Sequence, residues 1–146
     1  MIQSILILIN VSILVILSLI HFYWVFGGKS GVEGTIPERF KESFFNPENS
    51  VKNTIATLVV AFGLLVLAFI VSSNYLDLEY IIEASWTTIG TRAIGIVFLL
   101  RAIGDFNILG LFKKPSTSLF ARNDTRLYVP LCFFIGVSCI LITFLK

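Results

Sequence analysis

The amino-acid sequence predicts an all-α integral membrane protein whose four transmembrane helices form one bundle. Hydrophobic residues make up 56% of the 146-residue chain and charged residues only 14%, whereas soluble domains carry about 25% charged residues. Four apolar runs are each near the roughly 20 residues that cross about 30 Å of hydrocarbon. We therefore expect a single domain over residues 1–146, with spans at about 2–26, 53–73, 88–111 and 127–145.

The first apolar run, 2–26, is expected to stay attached as a transmembrane helix. It has no basic start and is longer than the apolar part of a secretory signal. In addition, Phe26-Gly27-Gly28-Lys29 is not a small-x-small cleavage site.

Charge differs between the connecting segments, and this difference predicts the orientation. Residues 74–88 contain Asp77, Glu79 and Glu83 but no Lys or Arg. Because Lys and Arg concentrate in cytoplasmic loops, we expect the first and third connections to be cytoplasmic and both termini to lie outside. The basic residues of these two connections are Lys29, Arg39, Lys41, Lys52, Lys113, Lys114, Arg122 and Arg126.

The first connection has the pattern of a short amphipathic helix. Residues 35–38, Thr-Ile-Pro-Glu, fit a capping box, and Ile36, Phe40 and Phe44 recur every four residues. This predicts a short interfacial helix on the membrane surface, with a lid over a cytoplasm-facing pocket as the alternative. Asn46-Pro47 is expected to cap and begin the second span.

Two opposite charges, Arg101 and Asp105, lie four residues apart in the third apolar run. A charged side chain in hydrocarbon costs about 2.5–3.5 kcal/mol, so such residues are usually paired, turned inward and functional. We therefore predict that they form a charge pair inside the bundle. Gly104 and Gly110 leave open an earlier helix end, which would bring Asp105 to the surface.

The rise of an α-helix predicts which polar residues lie at one depth. If the first and third spans end near positions 26 and 111, His21 and Asp105 lie roughly 8–9 Å below the cytoplasmic boundary and Arg101 about one turn deeper. Asn53 reaches a similar level. The sequence thus predicts a polar site built from three helices.

Structural interpretations of these residues remain open. His21, with its neighbours Tyr23 and Trp24, also fits an aromatic belt at the membrane interface. Arg101 also fits a structural strut that satisfies loop carbonyls, or an ion pair with Asp105 along its own helix.

A second polar group surrounds the predicted start of the last helix. Asp124 or Thr125 can cap that helix, and its free amide hydrogens favour anions. This pattern is typical of a phosphate-binding corner, and ordinary positive-inside charges beside anionic lipid are the alternative. The other members of the group are Lys113, Lys114, Arg122, Arg126 and Tyr128.

Cysteine and histidine usage excludes several chemistries. Cys132 and Cys139 are seven residues apart, about 10 Å along a helix, so they cannot bridge each other. No C-x-x-C pair supports a quinone-linked disulfide-forming enzyme. With His21 and Met1 the only residues of their types, we expect no haem and no metal site. No phosphate-binding glycine loop, nucleophile elbow or nucleic-acid signature is present, so neither a cofactor nor a nucleic-acid partner is expected.

Motifs spread over essentially the whole chain resemble a bacterial family of small four-helix membrane proteins, the domain-of-unknown-function family 3995. The resemblance implies a topology and no activity. The motifs are His21-x-Tyr23-Trp24-x-x-Gly27-Gly28, the following Pro37, Arg101-Ala-Ile-Gly-Asp105-Phe106 with Gly110-x-Phe112-Lys113-Lys114, and Phe120-Ala-x-x-Asp124-Thr125-Arg126-x-Tyr128-x-Pro130-Leu131-Cys132.

We expect a multi-pass protein of the bacterial cytoplasmic membrane that binds or transports an anionic amphiphile or lipid through a cytoplasm-facing polar site. Arg101, Arg122 and Arg126 would bind charge, Asp105 would orient Arg101, and His21 would sense or shuttle a proton.

Two other classes of function stay open. In an intramembrane enzyme acting on a lipid or isoprenoid, His21 and Asp105 would form the acid–base pair, with Tyr23 and Trp24 lining an apolar slot. In an accessory subunit, the ionic cluster would only fix helix register. Membrane lipids are the expected partners, while the ligand, the oligomeric state and any protein partner are not specified by the sequence.

Overall fold

The computed structural model describes residues 1–75 and 83–145, and within these residues the protein is helical and has no strand. The helices are α1 (Ile2–Val25), α2 (Glu38–Phe45), α3 (Ser50–Ser72), α4 (Ala84–Ile103), α5 (Leu119–Asn123) and α6 (Val129–Phe144). Short 3-10 turns occupy Val32–Gly34 and Pro47–Asn49, and a π-helical turn, Asp124–Tyr128, joins α5 to α6.

Four helical segments are long and apolar enough to cross a membrane, which confirms the predicted four-span fold. They are Ile2–Val25, Pro47–Ser72, Ala84–Ile103 and Leu119–Phe144. The predicted boundaries differ most at the third connection, where the third span ends eight residues before the expected position 111 and the fourth begins eight residues before position 127. Asp77 and Glu79, part of the acidic connection, lie outside the described residues.

The helices pack as two antiparallel pairs. Helix α1 packs along α3, and α4 packs along α6, while narrower contacts from α1 to α6 and from α3 to α4 join the pairs. Fully buried Leu14, Val71, Ile135 and Ile142 form the centre of the apolar core. The outer faces carry exposed aliphatic and aromatic side chains, as expected for helices that face lipid.

Polar side chains inside the bundle hydrogen-bond between helices. Asn10 and Ser138 join α1 to α6, since the amide nitrogen of Asn10 donates to the Ser138 hydroxyl at 2.8 Å and that hydroxyl donates back to the Asn10 oxygen at 2.9 Å. The Ser18 hydroxyl donates to the carbonyl of Ala61 at 2.8 Å and joins α1 to α3. Each such bond is worth about 0.6 kcal/mol in a membrane.

The first connection contains the expected short helix, although it begins differently from the prediction. The predicted capping box is wrong: Pro37 precedes α2 without a side-chain cap, and the Thr35 hydroxyl donates instead to the carbonyl of Val32 at 2.7 Å. The prediction for Asn46 is confirmed. Its side chain accepts the amide hydrogen of Glu48 at 3.0 Å, and Pro47 opens the turn that leads into α3.

Candidate functional site

A buried carboxylate, Asp124, is the centre of a charged cluster where the third and fourth spans meet the connection between them. Its side chain is fully buried. One oxygen, Oδ1, accepts from Nη2 of Arg101 at 2.7 Å. The other, Oδ2, accepts from Nζ of Lys113 at 2.9 Å and from the backbone N–H of Gly110 at 2.8 Å. We call Arg101, Lys113 and Asp124 the Asp124 cluster.

The local sequence places Asp124 inside a helix rather than at its end. Ser118 is the cap of this helix, because its hydroxyl accepts the amide hydrogen of Ala121 at 3.1 Å. The prediction that Asp124 or Thr125 caps the last helix is therefore wrong. Thr125 instead donates its hydroxyl hydrogen to the carbonyl of Ala121 at 3.1 Å and accepts from Lys113 at 2.7 Å.

The helix is irregular directly after Asp124. Residues Asp124–Tyr128 form a π-helical turn, in which the amide of Val129 donates to the carbonyl of Asp124. Pro130 follows and has no amide hydrogen, so the regular α-helical bond to residue 126 cannot form. Such π turns are frequent at functional sites.

The cluster carries more positive than negative charge in a largely buried setting. The side chains of Arg101, Lys113 and Asp124 are 31%, 10% and 0% exposed, and both carboxylate oxygens of Asp124 are already used. Nη1 of Arg101 is buried and has no hydrogen-bond partner among the described residues. A buried donor without an acceptor costs about 1–3 kcal/mol, and more when it is charged. The cluster therefore offers a vacant donor and a surplus positive charge to an anion.

Asp105 does not pair with Arg101, and that prediction is wrong. Helix α4 ends at Ile103 and Gly104 has a φ of 89°, so Asp105 lies in the loop that follows. Its Oδ1 accepts the amide hydrogens of residues 107–109 at 3.0, 2.7 and 2.8 Å.

These hydrogen bonds also decide the protonation of Asp105. The three loop amides, that of Leu109 first, lower the pKa of its carboxyl to about 2. A carboxylate this acidic and this exposed stays ionised at physiological pH, which does not suit the acid–base role considered for Asp105.

No hydrogen bond or ion pair among the described residues connects His21 or Asn53 to the Asp124 cluster. Nδ1 of His21 lies 2.7 Å from the carbonyl of Leu17, which can only accept, so this nitrogen carries the hydrogen. The ring also meets the ring of Trp24 edge-on at 5.0 Å between centroids. These surroundings match the aromatic-belt interpretation. Asn53 donates to the carbonyl of Phe44 at 2.8 Å and so ties α2 to α3.

Tyr23 and Trp24 shape the end of the first span. Nε1 of Trp24 donates to the carbonyl of Ser30 at 2.9 Å. The Tyr23 ring lies so close to Gly28 that a β-carbon there would overlap it. Both aromatic residues thus fix the path of the chain as it leaves α1.

The first connection packs against the fourth span beside the Asp124 cluster. The carbonyl of Gly34 accepts from the Tyr128 hydroxyl at 3.1 Å and from the Asn123 side chain at 3.4 Å. A β-carbon at buried Gly34 would overlap the end of the Asn123 side chain, so a larger residue there would have to displace the amide group that bonds to Gly34. Sequence reasoning included Tyr128 but missed Gly34 and Asn123, and it named Gly110 only for the helix end and a family motif, not for the site.

The cations Lys114, Arg122 and Arg126, close to the Asp124 cluster in sequence, are exposed. Arg122 and Arg126 flank Asp124 in the fourth span, two residues away on either side, rather than in a loop as predicted. Their exposure leaves them free to contribute to the electrostatic field around the cluster. No group of three His, Cys, Asp or Glu side chains in the described residues could hold a metal ion.

Comparison with known proteins identifies one family. The family described as "Protein of unknown function (DUF3995)" matches residues 14–139, most of the chain. No curated protein and no solved structure matches this chain. The match covers all four spans in part or in full and includes the whole Asp124 cluster.

Proposed function

The chain belongs to the DUF3995 family of proteins of unknown function, and we propose that this integral membrane protein binds or transports an anionic amphiphile, such as a phosphate-bearing lipid, at the Asp124 cluster. The headgroup oxygens would accept from Arg101, while the apolar tail would stay in the bilayer. Phosphate and carboxylate suit a guanidinium because its N–H groups form a planar fork that matches their oxygens.

The vacant donor on Arg101 carries this proposal. Asp124 holds one side of the guanidinium through Nη2, and the opposite nitrogen, Nη1, is buried without an acceptor. An anionic oxygen would supply that acceptor and would also balance the surplus charge of Lys113 and Arg101 against Asp124. Arg101 is in the last turn of α4, which would place it near the level of the headgroups rather than at the bilayer centre.

Exposed Arg122 and Arg126 support the same ligand chemistry. Each basic residue near an anionic membrane surface contributes about 1 kcal/mol of attraction, which salt screens. These two arginines would thus draw the anion toward the buried cluster, and binding would weaken as the ionic strength rises.

The retention of lipid by an Arg101→Lys variant tests the proposal. Lysine keeps the charge that pairs with Asp124 but lacks the second nitrogen that Nη1 provides. Loss of one charge-assisted hydrogen bond, about 1.5 kcal/mol, should weaken binding of phosphatidylglycerol about tenfold. Native mass spectrometry of the gently extracted protein, titrated with this lipid, measures the change.

Arg92→Lys is the matched control, because Arg92 lies in the middle of α4, roughly 13 Å before Arg101 along the helix, and its Nε donates to Thr143 at 3.1 Å. It should bind phosphatidylglycerol like the wild type. In the double variant Arg122→Gln with Arg126→Gln, the affinity for phosphatidylglycerol should depend much less on salt concentration. Equal lipid stoichiometry and affinity in the wild type, Arg101→Lys and the double variant would leave these residues as topology determinants only.

We further propose that the end carrying the Asp124 cluster faces the cytoplasm, in the bacterial cytoplasmic membrane. The bias of Lys and Arg toward the first and third connections supports this orientation. Single cysteines at exposed Tyr75 and Ser116, in a Cys132→Ala background where Cys139 is buried, report it directly. A membrane-impermeant thiol reagent should label Tyr75→Cys in intact cells and Ser116→Cys only after permeabilisation. The reverse labelling pattern would invert the topology.

A further inference from the structure

The loop that follows α4, residues 104–112, is unusually apolar for a segment outside a helix. We call it the 104–112 loop. Its apolarity explains why hydropathy predicts a span to position 111 although α4 ends at Ile103. Its large apolar residues are Phe106, Ile108, Leu109, Leu111 and Phe112.

Seven of the nine backbone N–H groups of this loop donate within the protein, and those of Phe106 and Phe112 have no acceptor among the described residues. The amide hydrogens of residues 107–109 bond to Oδ1 of Asp105, and that of Gly110 bonds to Oδ2 of Asp124. The amides of residues 105 and 111 donate to the carbonyls of Leu109 and Ala102 at 3.3 and 2.9 Å. Irregular backbone is excluded from the hydrocarbon unless its polar groups are satisfied, so the two remaining amides fit a loop whose backbone lies at the level of the headgroups.

The loop also holds an aromatic pair on its outer surface. The Phe106 and Phe112 rings stack with centroids 5.8 Å apart and planes 23° apart. Each side chain is 61% exposed, and neighbouring Leu111 is 59% exposed. Phe106 has a φ of 62°, a conformation that is uncommon for a residue other than glycine. Phe106 thus has an unfavourable backbone conformation, and its apolar ring is not covered by other residues that the structure describes.

Close approach of Gly104 and Gly110 makes the loop compact. Both have positive φ, and a β-carbon on either would overlap the backbone on the opposite side of the loop. The chain continues directly into Lys113, which binds Asp124, and into exposed Lys114. An apolar tip therefore lies beside basic residues at the end of a transmembrane helix.

We propose that the 104–112 loop is a membrane anchor whose Phe106 and Phe112 rings insert below the lipid headgroups, with Lys114 among anionic headgroups. The bonded amides lower the cost of leaving water, and at this depth the free amides of Phe106 and Phe112 stay within reach of headgroup oxygens. The exposed apolar rings gain from leaving water for the lipid interface. Because Gly110 binds Asp124, the anchor also holds the Asp124 cluster at the level of the headgroups. This anchor does not depend on which ligand the cluster binds.

Nitroxide labels placed on single cysteines test the depth of the loop. Phe106→Cys, Phe112→Cys and the control Ser116→Cys are made in the Cys132→Ala background and reconstituted into vesicles of phosphatidylglycerol and phosphatidylcholine. Collision rates with oxygen, which concentrates in the bilayer, are compared with collision rates with a water-soluble nickel chelate. Labels at 106 and 112 should favour oxygen over the chelate several-fold more than the label at 116 does.

Labels at two positions, 106 and 112, allow the depth to be measured even if one variant does not fold. If Phe106→Cys fails to insert into vesicles, Phe112→Cys carries the measurement, since residue 112 lies outside the positive-φ region of the loop. Labels at both positions that meet the nickel chelate as often as the label at 116 would overturn the anchor and make this segment a water-exposed loop.

Discussion

Asp124→Asn should lower the free energy of unfolding by about 3 kcal/mol, which is at the lower end of the cost of breaking a buried ion pair. Asparagine keeps the shape of the side chain but removes the charge that faces Arg101 at 2.7 Å and Lys113 at 2.9 Å. Two cations would then lie together without a counter-ion. Because Arg101 is 31% exposed, solvent offsets part of the loss. Denaturation in mixed detergent micelles, followed by circular dichroism, measures the change.

Asp105→Asn is the matched control for this experiment. It removes the same charge from the same end of the protein, but Asp105 is exposed and has no cationic partner among the described residues. An asparagine oxygen can still accept the amide hydrogens of residues 107–109. Losing the charge weakens these three bonds without breaking them, so we expect a smaller loss than that caused by Asp124→Asn. Equal losses for the two variants would show that Asp124 does not stabilise the fold through its cations.

A double-mutant cycle separates the pair from its surroundings. Arg101→Gln with Asp124→Asn removes both charges, so its destabilisation should be smaller than the sum of the single effects. Strict additivity would show that the contact between Arg101 and Asp124 contributes no coupling energy.

The four-span fold could be predicted from sequence because each span is a nearly continuous apolar run of membrane length. The ends of the third and fourth spans could not, since hydropathy does not distinguish a helix from an apolar loop. The positive φ of Gly104 ends α4 within the apolar run, and the Ser118 cap starts the next helix while polar residues still follow. The Gly104 turn and the Ser118 cap are both local features, and of the two only Gly104 was noted in the sequence as a possible end of the helix.

The partner of Arg101 illustrates what sequence reasoning cannot reach. Asp105 was the natural choice because four residues correspond to one helical turn. Asp124 is 23 residues away in sequence, and it meets Arg101 only because the fourth span begins at Leu119 and packs along α4. A pairing that depends on helix packing therefore follows from the tertiary structure, although both residues belong to motifs that the sequence already singled out.

The predicted depth of Asp105 was wrong because α4 ends before this residue. The prediction assumed that α4 continues to position 111, whereas Asp105 lies in a loop and binds loop amides. For His21 and Asn53 the assumed helices are present, but equal depth does not bring side chains together when they face different neighbours. His21 bonds to its own helix, and Asn53 bonds to the end of α2.

Helices α4 and α6 come into close contact at two glycines, Gly95 and Gly136, and Gly136→Leu should prevent this contact. A β-carbon at Gly136 would lie 2.7 Å from Cγ of Leu99 and 3.0 Å from the carbonyl oxygen of Gly95. A β-carbon at Gly95 would meet the carbonyl of Gly136 at 3.0 Å, so the contact is reciprocal. Small residues allow such backbone contact between membrane helices. Overpacking typically costs about 1–3 kcal/mol, and a leucine between two backbones should reach the upper part of that range.

The same substitution at Gly63 shows whether the loss of stability in Gly136→Leu comes from the contact between α4 and α6. Gly63 lies on the exposed face of α3, and no atom lies within 4 Å of a β-carbon placed there. Gly63→Leu therefore adds the same apolar volume against lipid and should leave the unfolding free energy nearly unchanged. Thermal unfolding of both variants in the same detergent gives the comparison. Since the α4–α6 pair also positions Arg101 against Asp124, Gly136→Leu should weaken the Asp124 cluster as well as the bundle. If Gly136→Leu were as stable as Gly63→Leu, the two backbones could not be in contact at Gly95 and Gly136.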